Sequence, residues 1–184
     1  LEIVPLAVTA LTPLVLFPLT GIADIGNAAQ HYADPVIFLF MGGFFIALAI
    51  EKWKLHRRMA LSIISITGSN GNQILLGFML STFTISMWLS NTATTMMMLP
   101  IVLSVLAVLE KSNPGQSLDR FGMASLLGID YASNIGGLAT IIGTPPNEAF
   151  VAYAREQLGL EISFLQWMLI CTPTALLILG AIYW

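Results

Sequence analysis

Apolar residues in this chain come in long blocks separated by short polar breaks. The first block runs roughly from Ile3 to Ile22 and carries Pro5, Pro13 and Pro18. Prolines bend or break an apolar helix, and membrane helices tolerate them where neighbouring groups satisfy the freed carbonyls. The polar stretch 23–35 that follows reads as a loop. Pro35 suits the first turn of a second helix, with Asp34 as its N-cap. That helix reaches about Ile50, a length of about 24 Å at the helical rise. Lys52 and Lys54 complete the span by snorkelling outward.

Beyond it, Trp53, Leu55, Met59, Ile63 and Ile66 recur at mostly helical spacing among Lys52, Lys54, Arg57 and Arg58. The pattern predicts an amphipathic helix lying in a membrane interface, its basic face toward the headgroups. The competing reading is a basic loop that only sets topology. After the turn cluster 68–72 come two apolar arms, about Gln73–Leu89 and Ala93–Leu109, joined by Ser90-Asn91-Thr92. A polar connection over 110–120 leads into a helix from about Phe121 to Ile142. Gly143-Thr144-Pro145-Pro146-Asn147 interrupts it, and a shorter helical piece continues to about Leu158. The last apolar helix runs from Phe164 to Trp184 and contains Pro173.

Composition turns these blocks into membrane segments. Of the 184 residues, 57% are hydrophobic and 9% charged, against about 25% charged in a soluble domain. No charge falls between Ile66 and Leu109, far beyond the run of about 18 apolar residues that marks a span. The single cysteine, Cys171, excludes an intrachain disulfide or a cysteine zinc cluster, and His31 and His56 have no metal-ligand partner at helical spacing. The start lacks the basic flank and cleavage site of a secretory signal. Because the chain begins at Leu1 and stops at Trp184 inside an apolar run, it reads as a piece of a longer protein.

Charge then constrains topology. Lys52, Lys54, Arg57 and Arg58 precede the double arm, and Lys111 and Arg120 follow it. The positive-inside rule puts 51–72 and 110–120 in the cytoplasm, so the segment between them returns to the side it left. Two full spans or a re-entrant hairpin would do this. A tip of Ser-Asn-Thr, polar yet uncharged, favours the hairpin. Arg155 falls on the opposite side, consistent with one crossing over 121–154.

Broken helices at membrane depth need a reason, because bare amides and carbonyls in hydrocarbon cost several kcal/mol each. Carriers exploit them: helix N-termini face anions and C-terminal carbonyls hold cations. At the first break, Ser86 lies one turn before Ser90, so both hydroxyls and the Asn91 amide oxygen supply hard neutral ligands suited to Na⁺. Asn91 and Thr92 also offer donors to a carboxylate. At the second, Gly136-Gly137 allow close packing, Gly143 exposes a carbonyl, Pro145 and Pro146 stop the helix, and Thr144 and Asn147 add polar side chains. The plainer alternative is that such residues only glue or kink membrane helices; two breaks of the same kind weigh against it. Asp130, an ionisable residue inside an apparent span, is a candidate coupling group, or a residue near a wet cytoplasmic mouth. Met96-Met97-Met98 reads as helix packing. No nucleophile elbow or zinc-protease motif is present, and an intramembrane enzyme would need a catalytic pair that the spans lack.

Ser86-Met87-Trp88-Leu89-Ser90-Asn91-Thr92-Ala93-Thr94-Thr95 resembles the first Ser-Asn-Thr motif of the divalent anion:sodium symporter family. Gly136-Gly137-Leu138-Ala139-Thr140-Ile141-Ile142-Gly143-Thr144-Pro145-Pro146-Asn147 is similar to that family's second signature, in the same chain order. The resemblance covers essentially the whole chain as the N-terminal repeat of a sodium-coupled dicarboxylate carrier. It implies an all-α integral membrane protein, half of an inverted-repeat transporter. Residues 1–72 are then scaffold-type transmembrane helices plus the interfacial helix, 73–110 a re-entrant helical hairpin, 121–158 a discontinuous transmembrane helix, and 164–184 a further span. It implies a multi-pass homodimer in a bacterial cell membrane, moving its transport domain by an elevator-like motion. Na⁺ would bind Ser86, Ser90, Asn91 and the backbone at Gly143. The substrate carboxylate would meet Ser90, Asn91, Thr92, Thr144 and Pro145, with Asp130 and Asn147 as secondary or coupling positions. Expected substrates are succinate, malate, fumarate and related di- and tricarboxylates. Two features depart from the family. A second Ser-Asn-Thr motif is absent from this sequence, so the other half of the substrate site lies elsewhere. Asp130 stands where a small neutral residue is expected, which leaves sulfate transport, anion exchange and proton coupling open as alternatives.

Overall fold

The computed structural model describes residues 4–33, 35–68, 70–112 and 118–184, and every regular element among them is helical. The chain divides into two units, Leu1–Gly42 and Gly43–Trp184. In the first, α1 (Leu6–Thr20) contains Pro13 and Pro18 and ends at Gly21 in the left-handed region, φ 72°. The amides of Gly21 and Ile22 bond back to Pro18 and Phe17, which satisfies the last carbonyls of the helix. The stretch expected to be a loop holds α2 (Ile25–Gln30) and a 3₁₀ turn over His31–Ala33. Two local bonds explain the difference: Asp24 Oδ1 accepts the Gly26 and Asn27 amides, and Tyr32 Oη donates to the Ala10 carbonyl at 2.6 Å. Helix α3 spans Pro35–Lys52. The N-cap expected at Asp34 lies outside the described residues.

In the second unit the basic segment is a helix, α4 (Leu55–Thr67), preceded by Lys54 with φ 52°. Helix α5 (Gly71–Ser86) opens with Gln73 Oε1 accepting the Asn70 amide, and α6 spans Asn91–Ser112. The joint between these arms is therefore 87–90, starting three residues and ending two residues earlier than the pattern suggested. Ser90 Oγ accepts the Ala93 amide at 3.3 Å, so Ser90 caps α6 and draws Asn91 and Thr92 into its first turn.

Helix α7 spans Asp119–Leu138, followed by a 3₁₀ turn over Ile141–Gly143, α8 (Pro145–Leu158) and α9 (Phe164–Tyr183). The break thus starts at Ala139, earlier than the expected Gly143. Pro145 and Pro146 open α8 rather than ending α7, at positions where the missing amide costs nothing. Helix α5 is central. Phe78 and Ile85 pack with Met98, Val102 and Ile129, while Met79 and Phe83 pack with Ala132, Ile135, Ala175 and Leu179. Gly136 lets α7 touch α5 at backbone level: a β-carbon there would fall 2.9 Å from Phe83 Cα. Among the described residues, α6 and α9 are long and apolar enough to cross a membrane. On α9, Leu169 and Leu177 stay 67% and 76% exposed, an outward apolar face that water would not favour.

Candidate functional site

At the hairpin turn, Met87 and Leu89 are buried and anchor it against the core, while Ser90 is exposed as the cap. The amides of Asn91 and Thr92 have no acceptor among the described residues. They form the positive end of a 22-residue helix, equivalent to about half an elementary charge.

Two side-chain hydrogen bonds hold Asn91, and each partner is itself anchored on α7. Ser86 is fully buried, its Oγ 2.6 Å from the Ser133 carbonyl and 3.0 Å from Asn91 Oδ1. Asn91 Nδ2 donates to Asn134 Oδ1 at 3.2 Å, and Asn134 Nδ2 donates to the Asp130 carbonyl at 3.0 Å. Ser86 has one hydroxyl proton for two acceptors, so lone pairs on Ser86 Oγ or Asn91 Oδ1 remain unserved. Gly137 makes room for this oxygen pair: a β-carbon there would collide with Asn91 Oδ1. A β-carbon on Gly143 would in turn collide with the Gly137 carbonyl oxygen. The structure therefore sets Ser86 against Asn91, Asn91 against Gly137, and Gly137 against Gly143.

Facing the first turn of α6 is a small pocket of about 190 Å³, lined by Asn91, Thr92, Thr95, Asp130, Ser133 and Asn134 among others. Thr95 Oγ1 donates to Ser133 Oγ at 2.8 Å, which donates to the Asp130 carbonyl at 2.8 Å. Asp130, exposed, supplies the one charged side chain of the lining. Thr144 and Pro145 are not among the lining residues; Thr144 is the extended residue before α8 and Pro145 is exposed at its start.

The carbonyls at the end of α7 are occupied. Asn147 Nδ2 donates to the Gly137 and Thr140 carbonyls at 2.8 and 2.7 Å. Trp167 Nε1 donates to Leu138 at 3.0 Å, and Thr172 Oγ1 to Ala139 at 3.2 Å. Thr140 Oγ1 reaches back to the Met87 carbonyl at 2.6 Å, tying break to hairpin turn. The sequence reading singled out the Gly143 carbonyl at this break; upstream of it, the four consecutive carbonyls 137–140 carry protein donors.

Sequence reasoning missed several members of the site. Ser133 and Asn134 fall three and four residues after Asp130, one helical face, and that spacing could have found them; Gly137, read there only as a packing residue, falls seven after it on the same face. It also took Asp130 as the ionisable residue at membrane depth. Glu148 is the more buried carboxylate, 4% exposed, and its Oε1 has no hydrogen-bond partner among the described residues. Its place directly after Pro-Pro-Asn in an interrupted helix was the available signal.

A helical protein with outward apolar helices, a paired-helix tip with unpaired amides and a helix interrupted beside it belongs to the class of membrane transport proteins. The citrate transporter family model matches residues 1–184, and the chain belongs to that family. It is 43% identical over 183 residues to the sodium-dependent dicarboxylate transporter SdcS of Staphylococcus aureus strain USA300, covering 97% of this chain and 35% of that protein. The same identity and coverage hold for SdcS of strains NCTC 8325 / PS 47 and COL. The chain spans about a third of the length of these curated relatives. The relatives are transporters, not enzymes, and a chain of this family is an integral membrane protein, in line with the resemblance carried by its two motifs.

Proposed function

We propose that this chain is the N-terminal half of a secondary carrier that moves small dicarboxylates by Na⁺ symport. The observation that carries this reading is the meeting of Ser86, Asn91, Gly137 and Gly143 beside the bare amides of α6. Hard oxygen ligands and a positive helix end lie within one hairpin tip, as co-binding of a cation and a carboxylate requires. Na⁺ binds the Ser86 and Asn91 oxygens and the backbone at Gly143, with Ser90 at the rim. The substrate carboxylate takes the Asn91 and Thr92 backbone amides and the Ser90 and Thr92 hydroxyls. Thr144, Pro145 and Asn147 act from the break, Asn147 by holding it together. The α5–α6 hairpin is re-entrant, 51–72 and 110–120 are cytoplasmic, and a second, inverted repeat completes the site in a homodimer of a bacterial cell membrane. Asp130 in the pocket favours one second reading, a proton-coupled carrier or an exchanger on the same fold; sulfate is the alternative anion.

The test is uptake of labelled succinate into liposomes holding the full-length carrier, with an inward Na⁺ gradient compared with K⁺. Uptake that needs Na⁺ and is lost in Asn91→Ala supports symport at the hairpin tip. Uptake indifferent to Na⁺ overturns symport and makes Asp130→Asn the next variant. No succinate uptake by folded protein overturns the dicarboxylate assignment, and labelled sulfate follows.

A further inference from the structure

Away from the hairpin tip, an opening of about 610 Å³ lies between the α3–α4 corner and α6. Its two walls differ in chemistry. The corner contributes Glu51, Lys54 and Arg57, all exposed; α6 contributes an apolar face that includes Ile101 and Val105, and Leu61 of α4 extends it. Neither cation is held in an ion pair among the described residues. Two cations against one carboxylate leave the lining of the opening with one net positive charge.

We propose that this opening is a binding site for an anionic phospholipid, its phosphate against Lys54 and Arg57 and an acyl chain along α6. A soluble anion would leave the α6 wall facing water, and an uncharged apolar guest would strand the two cations. An amphiphile with a single negative charge satisfies both walls. Trp53, 75% exposed beside this corner, is the residue type that settles at headgroup depth. Lys54 itself sits at φ 52°, a backbone conformation uncommon outside glycine and asparagine, at the bend that brings Glu51 and Arg57 to one opening. Basic pockets between membrane helices are where lipid headgroups bind. The site is separate from the hairpin tip and rests only on the chain's membrane location.

The experiment uses the purified full-length carrier in nonionic detergent, titrated with phosphatidylglycerol or with phosphatidylcholine of the same chain length. Bound lipid is counted by native mass spectrometry and the thermal unfolding midpoint is followed in parallel. Phosphatidylglycerol is expected to remain bound and raise the midpoint, and phosphatidylcholine to do neither. Arg57→Gln should weaken the phosphatidylglycerol response roughly fivefold, the effect of one interfacial cation. Glu51→Gln should strengthen it by a similar factor; it removes an opposing charge rather than a support, so it stays informative if Arg57→Gln folds poorly. Equal responses to the two lipids, or a Glu51→Gln variant indistinguishable from the parent, would overturn the proposal. So would a midpoint that rises with protein concentration and not with lipid, which would place a second copy of the chain in the opening.

Discussion

Replacing Asn147 by alanine tests whether the break after α7 is held by one side chain. Asn147 is 4% exposed, and its Nδ2 serves both the Gly137 and Thr140 carbonyls. Thr140 keeps a long bond of 3.4 Å from the Gly143 amide, whereas the Gly137 carbonyl has no other donor among the described residues. An unsatisfied buried acceptor costs about 1–3 kcal/mol, so one full loss and one partial loss amount to about 2–4 kcal/mol. If the cost falls on local opening, amide exchange across 139–147 should quicken by about 30- to 1000-fold, at 1.4 kcal/mol per decade. Hydrogen–deuterium exchange on the full-length carrier reads this directly, peptide by peptide. Asn147→Asp, which sets a carboxylate against two carbonyls, should be worse than alanine. Unchanged protection in Asn147→Ala together with lost uptake would refute the argument, because the side chain would then act on a ligand and not on the joint.

The two neighbouring glycines should separate fold from site. In Gly136→Ala the new carbon meets the Phe83 backbone, which cannot yield, so a loss of about 3 kcal/mol or more is expected, seen as collapsed yield of folded protein. In Gly137→Ala the obstacle is the Asn91 side chain, which can swing away; the protein should fold, with apparent Na⁺ affinity in uptake assays falling about 10–100-fold. Ser125 Oγ is buried with no hydrogen-bond partner among the described residues, so Ser125→Ala should raise stability by about 0.5–1 kcal/mol in a thermal melt. Glu148→Gln should raise the unfolding midpoint by removing a buried carboxylate with an unpartnered oxygen; a lowered midpoint would mean that the charge is compensated by groups outside this chain.

Much of this architecture was legible because membrane helices announce themselves through missing charge. The arms on either side of Asn91, the helix from Phe164 and the amphipathic segment at Arg57 all follow from apolar block length and spacing. What failed was local. The polar run after Ala23 looked like a loop because its order comes from an Asp24 cap and a Tyr32 bond back to Ala10, a contact 22 residues away. The proline pair at 145–146 was assigned as a helix stop, although the same residues are equally good helix starts. Only the extended backbone at Thr140 and Thr144, the first tied to the Met87 carbonyl, decides between the two. The pocket partners Ser133 and Asn134 were overlooked because attention stayed on the motifs, while the face they share with Asp130 comes from a helix whose neighbours the sequence does not name.

The two interruptions are unlike in what they leave bare. At the hairpin tip the exposed backbone groups are donors, the amides of Asn91 and Thr92, while its side chains hold acceptor oxygens at Ser86 and Asn91. At the break after α7 the carbonyls are already capped by Asn147, Trp167 and Thr172, drawn from α8 and α9. A cation arriving there competes with hydrogen bonds that stabilise the joint, whereas an anion at α6 displaces only water. We propose that the break is a rigid shelf that sets Gly137 against Asn91 and Gly143 against Gly137, the Gly143 backbone being its contribution to the cation and the other ligands coming from the hairpin side. Removing the shelf's bonds should cost stability first and selectivity second; removing Asn91 should do the reverse.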